Sequence, residues 1–357
     1  MRIPCFLYHN NETVDSRYIL KHSIEYLKSN LFDLFQKHPE SLSSFGIKYE
    51  DIDDVVGTCA TELEFWVNTP NNKTEVEALS TSQVLKEQYW ARTKGAVKTS
   101  LEQSLTTMDI YGLEPEMGHK EVGGIQAKVD KDGNYQIMEQ LEIDWKYSTA
   151  VQAVDNEAFV KNIIEETFKE NGLNVTFLAK PVDGIAGSGE HTHIGIALKL
   201  KNGKRINLFS STKNHFLSTF GYASIMGILK NYEVINPFVS STTASLRRLK
   251  PGFEAPVCIV TSIGRSVEVP SRNRSVLIGV VRELQSPLAT RFELRAPNPG
   301  TNTYIAVGAL YMAMLDGIKY ALENGKTEDD LLAELSKLRG LRRGLLQLGL
   351  PPIGSDA

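Results

Sequence analysis

The feature that most constrains the fold is a set of five short segments in which apolar and polar residues alternate. They are residues 61–67, 137–145, 173–179, 191–200 and 291–296. A period of two predicts β-strands with one face toward the core and the other face polar. In the first segment, for example, Leu63 and Phe65 lie opposite Glu62 and Glu64. We assign the Phe, Leu and Val positions of these strands to the core.

The polar faces carry side chains that bind metals and anions. They bear paired carboxylates, paired imidazoles and a row of alternating charge: Glu62 with Glu64, Glu142 with Asp144, His191 with His193, and Arg291, Glu293 and Arg295. If the faces converge, the oxygen-rich set suits Mg²⁺ or Mn²⁺, and the arginines suit phosphates or carboxylates. Crowded carboxylates repel one another, so more than one cation is expected, as in phosphoryl transfer. For any single strand, the alternative is a polar face exposed to water.

In other segments of the chain, apolar residues recur with the spacing of a helix. Residues 16–38 predict an amphipathic helix that is ended by the His38-Pro39 pair. Residues 83–111 predict a second helix between Ser82 and Gly112, and residues 155–171 predict a third that starts at an Asp155 cap. Residues 3–8 look strand-like. Strands and helices are interleaved without a strict βαβ rhythm, which predicts an α+β fold with a mainly antiparallel sheet.

Composition excludes several classes of protein. The net charge of -4 gives no general attraction to nucleic acid or to an anionic membrane, and a hydrophobic content of 41% argues against disorder. Cys5, Cys59 and Cys258 are too far apart for a zinc knuckle or a disulfide framework. The longest apolar stretch, residues 304–315, is shorter than the roughly 20 residues that span a bilayer. We therefore predict a cytoplasmic protein without nucleic-acid or membrane partners.

Two further segments are candidates for ligand contacts. The glycine-rich residues 183–190 match neither a P-loop nor a dinucleotide motif, so they are either a close backbone approach to a ligand or a plain connection. Arg248, beside the turn at 251–254, and Arg274, within residues 272–275, are predicted to point inward. For Arg265 and Arg282 a solvated surface position is the simpler interpretation.

Taken in order, ten motifs make the chain resemble the catalytic domain of glutamine synthetase over residues 1–325. They are TELEF (61–65), GHKE (118–121), EQLEI (139–143), FLAKP (177–181), GSGEHTH (187–193), NP (236–237), RLKPGFEAP (248–256), RNRS (272–275), RFELR (291–295) and PNPGTNTY (297–304). The stretch 122–138 looks like the insertion of the longer, clostridial-type members. The resemblance implies a glutamine synthetase/guanido kinase-like α+β domain, in which a curved, mainly antiparallel half-barrel lines the active site and is flanked by helices.

The resemblance also implies an activity. Such enzymes use ATP to join ammonia to L-glutamate through γ-glutamyl phosphate, with two or more Mg²⁺ or Mn²⁺ ions per site. The metal ligands implied are Glu64, Glu121 and Glu142 for one ion, and Glu62, His191 and Glu293 for the ion on the ATP phosphates. Members of the family form homo-oligomeric rings, which we expect of the full-length protein.

The remaining roles implied fall on the basic side chains and one acid. His193 would contact the nucleotide phosphates, and Arg274 and Arg291 would stabilise the transferring phosphoryl group. The substrate-binding set implied is Gly187, Arg248, Glu254 and Arg295. Glu254 would also act in catalysis, as acceptor and lid at the ammonium pocket.

The chain departs from the family pattern at several points. Ala186 stands where the family commonly has Asn, and Gly279 where it commonly has Arg, with Arg282 as a candidate substitute. The family's preceding β-grasp domain has no counterpart here, so we expect residues 1–15 to be a hinge remnant, 16–325 the catalytic domain, and 326–357 a truncated or aberrant tail. The alternatives are therefore a γ-glutamyl ligase that uses another amine, and a catalytically impaired fragment or pseudoenzyme with a structural or regulatory role.

Overall fold

A curled antiparallel sheet forms half a barrel at the centre of the fold, flanked by helices. The computed structural model of the chain describes residues 3–70, 92–123, 126–129, 135–182, 185–211, 215–249, 259–262, 264–266, 269–271, 276–283 and 286–337. Its strands are β1 (Tyr8–His9), β2 (Glu12–Thr13), β3 (Ile52–Pro70), β4 (Pro115–Lys120), β5 (Gln126–Val129), β6 (Tyr135–Trp145), β7 (Ser148–Thr149), β8 (Asn174–Thr176), β9 (Thr192–Leu200), β10 (Arg205–Asn207), β11 (Ile259–Ser262), β12 (Gly264–Ser266), β13 (Val269–Pro270), β14 (Val276–Glu283) and β15 (Ser286–Leu294). Its helices are α1 (Ser16–Lys37), α2 (Gly95–Ile110), α3 (Ala150–Glu170), α4 (Thr219–Lys230), α5 (Tyr232–Val239), α6 (Thr243–Arg248), α7 (Thr303–Glu323) and α8 (Glu328–Lys337).

The order of the main sheet is β11-β14-β15-β9-β3-β6-β4, with β10 on β9, β5 on β6, and β7 and β8 on β3. β11 and β14 are parallel, and the other pairs of this sheet are antiparallel. The sequence prediction of an α+β fold with a mainly antiparallel, curved sheet is therefore confirmed.

The long strand β3 joins the two halves of the sheet. Its first half pairs with β9 as far as Thr61, opposite Thr192, and its second half pairs with β6 from Glu62, opposite Asp144. Glu62 therefore lies where the pairing partner of β3 changes from β9 to β6. This position places its carboxylate within reach of side chains from both halves.

The apolar faces of the strands pack on two groups of helices. Ile194, Phe292 and Leu294 join the larger core, which includes α1, α4 and α7. Leu63 and Phe65 join the smaller core, which includes α2 and α3. These residues are the ones that alternation assigns to the core, and their burial leaves the opposite, polar faces to line the concave side.

The N-terminal ends of two of the predicted helices differ from those in the structure. α1 ends before His38 as predicted, and the helix predicted at 155–171 ends before Gly172, whose φ is +75°. That helix begins at Ala150 rather than at the predicted Asp155 cap, because the Asp155 carboxylate pairs with Arg17 instead, with Arg17 Nη2 at 2.7 Å. The helix predicted from residue 83 is wrong over 92–94, since Lys94 is extended. Residues 83–91 lie outside the described ranges.

Strand bounds also differ. β3 extends well beyond 61–67 at both ends, while only Asn174–Thr176 of the predicted 173–179 is a strand. β9 begins one residue after His191, and β15 covers Ser286–Leu294 rather than 291–296. Of the strand-like residues 3–8 only Tyr8 is in a strand, paired with the following β2.

Helix α7 corrects the prediction that no apolar stretch reaches the length of a membrane span. It has 21 residues and is apolar enough to cross a bilayer by length and composition. However, 67% of its most apolar window is buried inside the protein, where it packs against α1 and α4. The core helix of a soluble protein meets the same criterion, so α7 is weak evidence for a membrane.

Candidate active site

Four strands bring their polar faces together on the concave side of the half-barrel. Glu62 and Glu64 of β3 lie opposite Asp144 and Glu142 of β6, respectively. On the other side of β3, His193 of β9 is paired with Glu293 of β15. The polar faces that alternation singled out therefore meet, because antiparallel pairing places their residues side by side.

Glu62 is held by two histidines. Its Oε2 lies 2.9 Å from His191 Nδ1, and its Oε1 lies 2.6 Å from His193 Nε2. His191 Nδ1 also lies 3.7 Å from Glu293 Oε1. The structure thus brings together the three residues predicted for the ATP-side metal, Glu62, His191 and Glu293, with His193 beside them.

Electrostatics keep two of these acids charged. Burial alone would raise the pKa of Glu62, but His193 and His191, through charge and hydrogen bonds, hold it well below its usual range. Burial likewise opposes ionisation of Glu293, and Arg295 together with the two histidines lowers its pKa. Charged carboxylates at this position are the form that binds a divalent cation.

Glu64 is fixed by the backbone and by an amide. Its Oε2 accepts hydrogen bonds from Gly189 N at 2.7 Å and from Gln140 Nε2 at 2.8 Å. The same Gln140 nitrogen donates to Gly187 O at 3.0 Å, and Gln140 Oε1 accepts from Gly123 N at 2.9 Å. Gln140 therefore joins β3, β6 and the two loops around the site. Sequence reasoning did not single it out.

The other acids form a crowded group with a histidine that sequence reasoning also missed. His119 Nε2 lies 3.4 Å from Glu142 Oε2, and His119 Nδ1 lies 3.9 Å from Glu121 Oε2. Burial raises the pKa of Glu142 well above its usual range, and the charges of Glu64, Glu62 and Glu121 raise it further. The alternation that revealed the other ligands covers His119 only if residues 115–120 are recognised as a strand.

Asp144 is a further acidic residue next to this group. Burial, followed by the charges of Glu62 and Glu116, raises its pKa to about 6, against a backbone hydrogen bond from Met117 that lowers it. Its Oδ1 is buried and has no hydrogen-bond partner within the described part of the chain.

Three of the predicted arginines lie around these acids. Arg291 Nε donates to His193 Nδ1 at 3.0 Å, and Arg295 Nη1 contacts Glu293 Oε1. Arg295 is buried, and its Nε has no hydrogen-bond partner among the residues described. Arg248 Nη1 donates to the carbonyl oxygens of Ala296 and Pro297, both at 3.2 Å, which fixes its guanidinium beside Arg295.

The loop before β9 passes very close to these side chains. A Cβ on Gly189 would lie 2.5 Å from Arg248 Nη2 and 2.9 Å from both Glu64 Oε1 and His191 Nε2. A Cβ on Gly187 would lie 2.3 Å from Ala179 O. Glycine permits this close approach of the backbone to the site residues, so the glycine-rich segment packs directly against the site.

The position of Gly279 explains one departure from the family pattern. Gly279 lies opposite Glu293, so it shares the face of the site, and Val281 lies opposite Arg291. Arg282 is next along the strand and lies near Tyr222 of the helix layer, where it opposes the burial that raises the pKa of Tyr222. Glu254 and Arg274, the remaining predicted residues, lie outside the described ranges.

A cavity of about 460 Å³ opens from this cluster. Glu62, His193 and Arg291 line it, and it is bordered farther out by Tyr147 and Arg205. Its volume is within the range of pockets that enclose small ligands.

The donor set fits divalent cations. Three groups place their ligand atoms within 4.8 Å of one another: Glu62, Glu142 and His191; Glu62, His193 and Glu293; and His119, Glu121 and Glu142. Carboxylate oxygens with an occasional imidazole are the ligands of Mg²⁺ and Mn²⁺. Burial and then the neighbouring carboxylates raise the pKa of Glu142, and a cation among these carboxylates would offset their repulsion.

Comparison with known proteins decides the family. The family model described as glutamine synthetase, catalytic domain, matches residues 47–345. The chain belongs to the glutamine synthetase family. The glutamine synthetase of Sulfolobus acidocaldarius is 29% identical over 327 residues, covering 85% of this chain and 64% of the relative. That of Salmonella typhimurium is 37% identical over 196 residues, covering 55% of this chain and 39% of the relative.

The curated relatives are matched over only part of their own length. The Azotobacter vinelandii glutamine synthetase is 35% identical over 239 residues, covering 67% of this chain and 45% of that protein. This chain therefore spans between about 39% and 64% of the length of these glutamine synthetases. Family membership does not by itself assign an activity to a chain that spans only part of these relatives, so the activity and the individual roles remain predictions.

Proposed function

We propose that this chain carries the catalytic site of an ATP-dependent ligase that joins ammonia to L-glutamate and forms glutamine by way of γ-glutamyl phosphate. The observation that carries the proposal is the group of Glu62, His191 and Glu293, of which Glu62 lines the 460 Å³ cavity together with His193 and Arg291. A phosphate chain needs cations and hydrogen-bond donors at one end of its pocket; this arrangement supplies ligands for the cations, and Arg291 supplies a donor.

The metal ligands divide into two sets. Glu62, His191 and Glu293 would hold a cation on the ATP side, and Glu64, Glu121 and Glu142 would hold a second one on the glutamate side, with His119 next to it. When bound, Mg²⁺ or Mn²⁺ would neutralise the carboxylates and the phosphate oxygens. Gln140 and Gly189 orient Glu64 before any ligand arrives, which is the usual role of residues that hydrogen-bond to metal ligands.

The arginines bind and orient the substrates. Arg291 lines the cavity beside His193 and is placed to donate to phosphate oxygens, as Arg274 is also predicted to do. The buried Nε of Arg295 is a donor that a substrate carboxylate can satisfy. Arg248 donates to the Arg295 carbonyl oxygen, and Gly187 is close to the Arg248 side chain. Glu254 remains our prediction for the ammonium pocket.

The proposal is tested by glutamine formation. The purified chain is supplied with ATP, Mg²⁺, L-glutamate and ammonium, and phosphate and glutamine are measured. We expect phosphate release that requires both glutamate and ammonium, and about a thousandfold loss in Glu293→Gln, because a metal ligand is removed. The exposed Glu25→Gln is the control. Phosphate release that does not depend on glutamate would contradict the proposal.

The same assay separates the alternatives. Methylamine or putrescine in place of ammonium tests for a ligase that uses another amine. A chain that binds Mn²⁺ and ATP without turnover would instead support a catalytically impaired member of the family. A ring-shaped homo-oligomer and a cytoplasmic location remain predictions, and the mass of the assembly in solution tests the first.

A further inference from the structure

A buried cluster of charged side chains lies behind the site, on the helix side of the sheet. Lys161 of α3 contacts Glu157 Oε1, and its Nζ lies 3.1 Å from Glu190 Oε2 and 2.9 Å from Pro299 O. Thr303 Oγ1 lies 3.1 Å from Glu157 Oε1 and 2.9 Å from Glu190 Oε1. Glu190 is 0% exposed and Glu157 is 2% exposed. None of these side chains takes part in the proposed chemistry.

The cluster is attached to two segments that carry site residues. Glu190 lies between Gly189, whose amide holds Glu64, and His191, which contacts Glu62. The Glu190 amide also donates to Pro297 O at 3.0 Å. Pro299, which accepts from Lys161, belongs to the segment that follows Arg295. A single lysine therefore fastens both segments to α3.

Charge makes this attachment depend on Lys161. Two buried carboxylates face each other through the ammonium group, and at low dielectric they repel strongly without it. Removing the lysine leaves three buried acceptor groups, on Glu157, Glu190 and Pro299, without the donor that they share. Glu190 can gain solvent only if the segment 187–191 moves, and that movement shifts Gly189 away from Glu64 and His191 away from Glu62.

We propose that Lys161 is a positioning residue for the active site, which acts through Glu190 and Pro299 to hold His191 and Arg295 in place. The consequence for metal binding rests on the proposed function. The consequence for the two segments does not, because it concerns the backbone of the ligand-free chain.

The test compares Lys161→Met with Lys169→Met, which removes an exposed lysine from the same helix. Hydrogen exchange followed by mass spectrometry is measured without metal, and Mn²⁺ affinity by electron paramagnetic resonance titration. For Lys161→Met we expect at least tenfold faster exchange in 187–192 and 295–303, with α1 unchanged. We also expect about tenfold weaker Mn²⁺ binding, as is typical when a residue supporting metal ligands is lost. Lys161→Arg should restore most of both, and Lys169→Met should match the wild type.

Each other outcome has a definite meaning. Wild-type exchange in both segments of Lys161→Met overturns the proposal, and so does faster exchange spread evenly over the chain, which indicates a general structural role. If the wild type binds no Mn²⁺, the proposed function fails while the exchange result still decides this inference. If Lys161→Met does not fold, Thr303→Val removes the hydroxyl shared by the two carboxylates and should speed exchange in the same two segments about threefold. No change there overturns the proposal.

Discussion

His193 Nε2 lies 2.6 Å from Glu62 Oε1, while the other nitrogen of the same ring accepts a hydrogen bond from Arg291 Nε at 3.0 Å. A guanidinium has only donors, so Nδ1 must be the nitrogen without hydrogen, and Nε2 must donate to Glu62. Three neighbouring strands thus form a directed chain from arginine through imidazole to carboxylate. The chain fixes the ring of His193 and the charge of Glu62.

Replacing Arg291 should allow the His193 ring to adopt either tautomer. When the His193 ring is neutral in the metal-free wild type we expect the Nε2–H tautomer alone, and in Arg291→Met a mixture of both tautomers, because the donor to Nδ1 is gone. Nitrogen-15 NMR of the imidazoles measures this directly, with the exposed His22 as an internal control that should not change. An Nδ1–H tautomer of His193 in the wild type would show that Arg291 does not set it.

Metal binding should compete with a proton on Glu142. Burial and the neighbouring acids raise the pKa of Glu142 well above its usual range, so this carboxyl keeps its proton to higher pH than an ordinary glutamate, and a bound cation competes with that proton. We expect the Mn²⁺ affinity to rise with pH, by up to about tenfold per unit for one displaced proton. Calorimetric titration between pH 6 and 8 measures it. Glu142→Gln should bind more weakly and lose this dependence, Glu25→Gln should keep it, and a flat profile in the wild type would contradict the argument.

Alternation alone predicts much of this site, because the period of two assigns each residue of a strand to a face. Glu62, Glu64, His193 and Glu293 all follow from it. Which of these residues become neighbours depends on pairing between strands far apart in sequence, and local pattern carries no information on that. The placement of Glu64 opposite Glu142 therefore needed the family resemblance or the structure.

The residues that were missed lie where the local signal is weak or ambiguous. The strand that carries His119 contains Pro115 and Gly118, and both residues disfavour a strand prediction. Gln140 is an ordinary polar residue in sequence, and its role arises from contacts with Glu64 and Gly187 in distant segments. Asp155 has the chemistry of a helix cap, yet its ion pair with Arg17 places it inside the helix.

Asp144 should lower the stability of the metal-free protein at neutral and higher pH. Its pKa of about 6 lies above its ordinary value of 3.8, mainly because of burial and the nearby Glu62. The unfolded chain loses this proton first as the pH rises from about 4 to 6, so folding becomes less favourable across that range and the cost persists above it. Asp144→Asn should therefore be more stable than the wild type at pH 8, by about 1 kcal/mol after screening by solvent, and equal to it at pH 4.

Urea unfolding in the presence of a chelator measures this difference. Asp33→Asn, on the exposed side of α1, is the matched control and should change stability little at either pH. An Asp144→Asn variant that is less stable than the wild type at pH 8 would mean that the carboxylate is favourably paired in the folded protein.

Changing each of the two glycines before β9 to alanine should affect a different property, stability in one case and metal affinity in the other. A Cβ on Gly187 meets the backbone oxygen of Ala179, which cannot move without distorting the loop, so Gly187→Ala should lower the free energy of unfolding by about 1–3 kcal/mol.

A Cβ on Gly189 instead meets the ends of three side chains, those of Arg248, Glu64 and His191. These ends can rotate away, so Gly189→Ala should cost less than about 1 kcal/mol of stability. Rotation removes Glu64 and His191 from their positions, however, so its Mn²⁺ affinity should fall at least tenfold. Urea unfolding and Mn²⁺ titration of both variants measure the two effects. Wild-type metal affinity in Gly189→Ala would mean that the side chains around this loop are not held for metal binding, because displacing them would then have no consequence.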